Sequence, residues 1–95
     1  MTINKTILYD RFEFHSYELR DLAENVLSRM ESPDDSLYAC MDDELIYYDD
    51  QWTMIKAYCT PQEANYDYAW ACFYDDLTGA IMDGVLEEDE EEDEE

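Results

Sequence analysis

Excess negative charge is the property that most constrains how this chain can fold. The 95 residues carry 27 Asp and Glu against five Lys and Arg, a formal charge of −22 at pH 7. Nine of these acids form the uninterrupted run 87–95, and the first 86 residues still carry 18 acids and five bases, a net charge of −13. Self-repulsion of this size opposes a compact state, and a surface of this sign attracts basic partners.

The apolar content is nevertheless high enough to build a core. Hydrophobic residues make up 46% of the chain, whereas chains that remain disordered combine high charge with few apolar groups. Only two glycines and two prolines interrupt the sequence, which favours helices. We predict a mainly α fold, a small bundle of three to four helices with an N-terminal arm and a disordered acidic C-terminal tail. The predicted domains are a single acidic helical domain over residues 1–86 and a poly-acidic tail over residues 87–95.

The residues needed for catalysis or metal binding are scarce. His15 is the only histidine, and the cysteines at 40, 59 and 72 lack the paired spacing of a zinc site. We therefore expect no enzyme activity, no cofactor and no metal site. We interpret the three cysteines as reduced, buried small hydrophobic residues of a cytoplasmic protein, because no apolar run reaches the length of a membrane span.

Apolar spacing predicts where the helices lie. The first should run from about Tyr17 to Met30 with Ser16 as its N-cap, because apolar residues recur there at helical intervals. Residues 1–14 fit either a short strand or an irregular arm, of which we predict the arm. Two further helix starts are predicted where a cap residue precedes a proline, at residues 32–35 and 60–63.

The second predicted helix carries an apolar stripe from Leu37 to Cys59, and the third follows from Pro61. A break in the second helix near Asp43 or Glu44 remains open, since residues 45–48 also fit a short strand or a joint between two helices.

The acids of the body occur in pairs. Three pairs between residues 34 and 50 recur at intervals close to two helical turns, about 10.5 Å of axis, so a continuous second helix would present them on one side. A fourth pair lies in the third helix, with further aspartates about two turns to either side. The candidate partner-binding acids are Asp34, Asp35, Asp42, Asp43, Glu44, Asp49, Asp50, Asp67, Asp75, Asp76 and Asp83.

The charge density is close to that of a nucleic acid. Duplex DNA carries one negative charge per roughly 1.7 Å of axis, so 22 charges correspond to about 37 Å of duplex. A basic cleft that reads phosphates by charge and spacing could accept such a surface. Scattered acidity that serves only solubility is the alternative for the body, and it is the favoured interpretation of the tail taken alone.

Residues 42–55 resemble the central segment of the Ocr-like family of phage antirestriction proteins. There too, acids precede a Tyr-Tyr pair, which is followed by an acid and then by an aromatic and apolar helix. Residues 17–19, residues 34–37 and the acidic terminus resemble other parts of that family in the same order. The likeness covers residues 15–58 and the tail. This chain lacks a proline before Tyr47 and a counterpart of the linker before the last long helix.

The resemblance implies a dimeric, mainly helical phage protein that mimics bent B-form DNA and occupies the DNA groove of type I restriction–modification enzymes and related defence systems. The acids that match by position are Asp42, Asp43, Asp49 and Asp50. A patch formed by Tyr47, Tyr48 and Trp52 is a candidate dimer or partner contact, although core packing is the more usual fate of a tryptophan.

The leading functional hypothesis is a DNA-mimic inhibitor of a host defence enzyme, either of restriction–modification type or a CRISPR effector, acting in the host cytoplasm. Direct contact with nucleic acid or with anionic membranes is not expected, because their phosphates would repel this surface. The alternative is an acidic binding protein or chaperone for another basic host protein, such as a nucleoid protein, a polymerase or a repair enzyme. Monomer and homodimer both remain open.

Overall fold

Five α-helices and two short strands make up the fold in a computed structural model that describes residues 2–32 and 34–87. In chain order the elements are β1 (Thr2–Ile3), α1 (Lys5–Arg11), α2 (Tyr17–Ser28), α3 (Leu37–Glu44), α4 (Tyr48–Tyr58), a 3₁₀ turn (Pro61–Glu63), α5 (Tyr66–Met82) and β2 (Leu86–Glu87). The predicted mainly α class is confirmed. The disordered tail predicted over residues 87–95 lies outside the described residues except for Glu87.

The N-terminal segment packs on the body as a helix, so the irregular conformation predicted for the arm is wrong. Asn4 begins α1 by accepting a hydrogen bond at Oδ1 from the Ile7 N–H at 3.2 Å, and Leu8 and Phe12 are fully buried. These two residues are four apart and share one helical face. A strand would have placed Phe12 and Phe14 on one face, but Phe14 is 92% exposed.

A two-stranded antiparallel sheet joins the first and last described elements. Thr2 lies opposite Glu87, and Ile3 lies opposite Leu86. Glu87, the first residue of the predicted tail, therefore belongs to the folded body.

The first predicted helix is confirmed as α2. Ser16 Oγ accepts a hydrogen bond from the Leu19 N–H at 3.2 Å, as expected of an N-cap. Its apolar residues are all buried, as the spacing predicted: Leu19, Leu22, Ala23, Val26, Leu27 and Met30.

The second predicted helix is broken into α3 and α4. Of the alternatives left open for residues 45–48, the joint between two helices is the one that the structure shows. The chain turns at residues 45–47, where the Gln51 side-chain amide donates to the Leu45 carbonyl at 2.6 Å. The break resets the rotation of the chain, so the predicted stripe does not continue through it. Tyr48 and Trp52 are exposed, and α4 buries Met54 instead.

Both proline-containing helix starts were predicted too early. The helix after Pro33 begins at Leu37 with Ser36 as its N-cap, and the helix after Pro61 begins at Tyr66 with Asn65 as its N-cap. Ser36 and Asn65 each accept a hydrogen bond from a backbone N–H three residues later. These caps lie next to the first turn that packs on the core, and residues 61–63 form only a 3₁₀ turn.

The two longest helices, α2 and α5, run in opposite directions between two ends of the molecule. At one end, called here the α1 end, Arg11 pairs with Asp83 at the end of α5. At the other, the α3 end, Tyr38 of α3 packs against Trp70 near the start of α5, with ring centroids 4.9 Å apart. Trp70 and Asp83 are 13 residues apart in the sequence, which separates these two contacts by about 20 Å along α5.

Candidate partner-binding surface

Basic side chains are concentrated at the α1 end, where they have partners within the chain. Lys5 pairs with Glu24 at 3.4 Å, and Arg11 pairs with Asp83 at 3.0 Å. Arg20 donates to two backbone carbonyls of the α1–α2 turn, at 3.3 and 3.2 Å. The three bases of this end are therefore held by partners within the chain, whereas four acids near them, Asp10, Glu13, Glu18 and Asp21, are exposed.

The α3 end has the opposite composition. Residues 30–55 contain eight acids and no Lys or Arg. Six of these acids define what we call the acidic surface: Asp34, Asp35, Asp42, Asp43, Asp49 and Asp50. Five are exposed and Asp50 is half-buried. Within residues 2–32 and 34–87, no Lys or Arg nitrogen lies within 4.0 Å of any of the six carboxylates.

Glu44 was predicted to belong with these acids, but the structure places it in the interior. Its exposure is 8%, and its Oε1 accepts a hydrogen bond from Arg29 Nε at 2.9 Å. This hydrogen bond is the main cause that raises the pKa of Arg29, against the opposing effect of burial. The position could have been inferred from spacing, because Glu44 lies three residues after the buried Met41 and four after the buried Cys40.

Asp50 lies beside this ion pair at the start of α4. Burial, followed by a hydrogen bond with Glu44 and the charges of Glu44 and Asp49, raises the pKa of Asp50. Asp50 therefore takes up a proton at a higher pH than an ordinary aspartate. The acidic surface is thus more fully charged at neutral than at mildly acidic pH.

The pair Asp42-Asp43 points in two directions, because successive residues of a helix are about 100° apart. Burial and then the charges of Asp42 and Asp67 raise the pKa of Tyr66, so Asp42 faces the start of α5. Asp43 raises the pKa of Arg29 and therefore faces the end of α2. Asp42 and Asp67 therefore both lie near Tyr66, although 25 residues separate them in the sequence.

The predicted arrangement of three pairs on one side of a single helix is wrong, because the helix is broken. Asp34 and Asp35 lie in the turn before α3, Asp42 and Asp43 in its last turn, and the third pair in the first turn of α4. The three pairs lie instead on the turn before α3, on the end of α3 and on the start of α4.

The three remaining candidates lie along α5. Asp76 is half-buried and accepts a hydrogen bond from the Tyr58 hydroxyl at 2.6 Å, with His15 Nε2 at 4.0 Å. Burial and this hydrogen bond strongly raise the pKa of Tyr58. Asp83 is paired with Arg11 as described above, whereas Asp75 is exposed. Asp76 and Asp83 thus hold helices together.

The candidate aromatic patch is exposed at the α3–α4 turn. Tyr47 is 57% exposed and Tyr48 73%, and Trp52 follows one helical turn later with more than a third of its surface exposed. Ile46, which was not among the predicted site residues, is 66% exposed. Trp70 is half-buried and stacks on Tyr74, with ring centroids 5.4 Å apart.

The cysteines follow the prediction only in part. Cys40 is buried, whereas Cys59 and Cys72 are half-buried, and all three are free thiols. Burial and then the charges of Asp35 and Asp43 raise the pKa of Cys40, which disfavours its thiolate.

Comparisons with protein-family models, with curated proteins and with solved structures found no match for this chain. The likeness to the Ocr-like family therefore stays a prediction drawn from the sequence. None of the helices formed by residues 2–32 and 34–87 has both the length and the apolar character needed to cross a bilayer.

Proposed function

We propose that this protein inhibits a DNA-binding defence enzyme of its host by presenting the acidic surface in place of DNA phosphates. The target would be a restriction–modification enzyme or a CRISPR effector in the host cytoplasm, since both classes hold DNA in a positively charged channel. The protein would act by occupying that channel, without contacting nucleic acid itself.

The observation that carries this proposal is the contrast in local charge composition. Residues 30–55 hold eight acids and no Lys or Arg, whereas residues 5–29 hold five acids and four bases. Among the described residues, no Lys or Arg nitrogen lies within 4.0 Å of the six aspartates of the acidic surface. Unpaired acids held close together repel one another, which costs stability. A basic partner would relieve that cost on binding.

The backbone that carries the acids is tied in place. Gln51 closes the α3–α4 turn onto the Leu45 carbonyl, and the Thr53 hydroxyl donates to the Asp49 carbonyl at 3.0 Å. The Asp35 carboxylate accepts a hydrogen bond from the Glu31 N–H. Short aspartate side chains on such a backbone keep their carboxylates in defined positions. A cleft that reads phosphate spacing requires this, whereas solubility does not.

Electrostatic attraction would supply the first step of recognition. Oppositely charged surfaces raise association rates, and the gain falls steeply with salt because the charges are screened. Binding would then pair the carboxylates with the lysines and arginines that otherwise contact DNA.

The test is competition with duplex DNA for three purified basic proteins: a type I restriction–modification enzyme, a CRISPR effector nuclease and a histone-like nucleoid protein. We expect displacement of DNA from one of the first two, and at least about ten-fold weaker displacement by the variant Asp42→Asn/Asp43→Asn/Asp49→Asn/Asp50→Asn. The slope of log affinity against log salt should fall by about one for each acid that contacts the target.

A matched control neutralises four exposed acids near the α1 end: Asp10→Asn/Glu13→Gln/Glu18→Gln/Asp21→Asn. It changes the net charge by the same amount and should retain most of the inhibition. An equal loss in both variants would mean that net charge alone matters, which would favour the alternative of an acidic chaperone. Displacement of DNA from the nucleoid protein only would also contradict the proposal.

A further inference from the structure

The α3–α4 turn exposes an apolar surface in the middle of the acidic surface. We call Ile46, Tyr47, Tyr48 and Trp52 the aromatic turn. Three of these side chains are more than half exposed, although the chain has a core in which large apolar residues such as Phe73 are fully buried. Adjacent exposed apolar side chains rimmed by charges are typical of an interaction site.

Charge complementarity decides what can cover this surface. Asp42 and Asp43 precede the aromatic turn, Asp49 and Asp50 lie within it, and residues 30–55 contain no Lys or Arg. A second copy of the chain docked here about a two-fold axis would place its acids against the same acids. Of the bases that flank this segment, Arg29 is already bound to Glu44, and Lys56, one helical turn after Trp52, supplies a single positive charge against the eight acids of residues 30–55. The occupant that fits is therefore a basic surface of another protein.

The tyrosines favour one kind of base over the other. A guanidinium group can lie flat on a tyrosine ring and donate to a carboxylate at the same time, whereas a lysine ammonium is a strongly hydrated point charge. The chain itself contains the ring contact, since Arg20 Cζ lies 5.1 Å from the Tyr17 ring centroid and 5.7 Å from that of Tyr9 while its nitrogens donate to backbone carbonyls.

Tyr17 and Tyr48 occupy equivalent places, each as the first residue of a helix that follows a tight turn. Among the described residues, however, no guanidinium lies over the ring of Tyr47 or Tyr48. The aromatic turn therefore offers tyrosine faces and carboxylates together, without an arginine of its own.

We propose that the aromatic turn recognises arginine side chains of the basic partner, stacking their guanidinium groups on Tyr47 and Tyr48 while the neighbouring aspartates accept their hydrogen bonds. This inference rests on the proposed function and deepens it, because it names the side chain that the acidic surface selects. The partner groove would be one that contacts DNA mainly through arginine.

The experiment uses deca-arginine and deca-lysine peptides as probes, titrated calorimetrically into the full chain at 0.15 M NaCl. We expect the arginine peptide to bind about five-fold more tightly or better. In the variant Tyr47→Leu/Tyr48→Leu, the ratio of arginine-peptide to lysine-peptide affinity should fall close to the ratio that carboxylates give without the tyrosine rings. The affinity for the lysine peptide should stay unchanged. The matched control Phe14→Leu/Tyr17→Leu removes two exposed aromatic rings from the α1–α2 turn and should keep the preference.

The outcomes separate this inference from the function on which it rests. An equal affinity of the wild type for both peptides, or a preference that survives Tyr47→Leu/Tyr48→Leu, would overturn the inference. If the variant Asp42→Asn/Asp43→Asn/Asp49→Asn/Asp50→Asn still lost its affinity for both peptides, the proposed function would stand. Binding of neither peptide would overturn both proposals. A dimer in sedimentation that the tyrosine variant dissociates would show that a second copy covers the turn, which also overturns the inference.

Discussion

The helices α1 and α3 are built alike but differ in the charge of their last turns. Each is short, buries apolar side chains and leads through a tight turn into the next helix. The last turn of α1 contains Arg11 beside Asp10, whereas the last turn of α3 contains Asp42, Asp43 and Glu44 and no base. Because the C-terminus of a helix carries partial negative charge, Arg11 stabilises its helix and the acids of α3 destabilise theirs.

The two turns differ in the same sense. Arg20 places a positive charge on the carbonyls of the α1–α2 turn, whereas the neutral amide of Gln51 closes the α3–α4 turn. The α1 end is thus arranged for stability. At the α3 end Glu44 alone is paired with a base, and the six aspartates of the acidic surface have no Lys or Arg within 4.0 Å among the described residues, as the proposed binding role requires.

The largest effect should come from the core of the α1 end. Phe12 is fully buried and its ring lies 6.0 Å from that of Phe73. Phe12→Ala should lower the free energy of unfolding by about 3–5 kcal/mol, measured by urea denaturation. The control Phe14→Ala removes an exposed ring and should change stability by less than about 0.5 kcal/mol. Similar small losses in the free energy of unfolding for both variants would mean that the α1 end packs only loosely on the rest of the fold.

An intermediate effect of opposite sign is expected at the end of α3. Asp42→Asn/Asp43→Asn should raise the free energy of unfolding by about 0.5–1.5 kcal/mol at low salt, because it removes two charges from an unfavourable helix end. Arg11→Gln at the end of α1 should lower it. Both differences should shrink in 1 M NaCl, where the Debye length is about 3 Å. A loss of stability in the double variant would contradict the contrast drawn between the two helices.

The smallest effect concerns Asp50 and depends on pH. Its pKa is raised in the folded state, so between about pH 4 and that raised value the folded protein holds more protons than the unfolded chain. The contribution of Asp50 to stability therefore falls as pH rises through this window. Asp50→Asn should be more stable than the wild type at pH 7, by no more than about 1 kcal/mol, and the difference should vanish below pH 4.

Thermal unfolding across pH 3–8 measures this difference. Glu18→Gln serves as the control, because Glu18 is an exposed acid in the first turn of α2 and has no buried acidic neighbour. It should be neutral or slightly destabilising at pH 7, since a carboxylate there favours the helix dipole. A gain in stability for Asp50→Asn that grows as the pH is lowered would contradict the assignment.

The sequence predicted α2 well because its N-cap and its apolar spacing agree and nothing in the segment competes with them. Ser16 lies three residues before Leu19, the first residue of an unbroken helical stripe, and no proline or glycine intervenes. Residues 37–59 also follow a helical stripe, yet the chain breaks at residues 45–47. Periodicity could not exclude the break, because a stripe that includes Tyr48 and Trp52 does not show whether those rings meet a neighbour or solvent.

The candidate site was predictable in composition and not in arrangement. The sequence alone shows that residues 30–55 hold eight acids and no base. It does not show that Glu44 turns inward to Arg29, that Asp67 joins Asp42, or that Asp83 is neutralised by Arg11 across 72 positions. Such contacts depend on which helices pack together, and the spacing within a single helix carries no information on that.

The amino-acid order by itself therefore determined the helical class, the burial of α2 and the excess of acid, because these follow from periodicity and charge along the chain. Only the tertiary structure decided which acids are paired and which remain open to a partner. The physical reason is that an ion pair forms between side chains brought within a few ångströms, and for Arg11 and Arg29 the partners lie on helices that the fold, not the neighbouring sequence, places beside them.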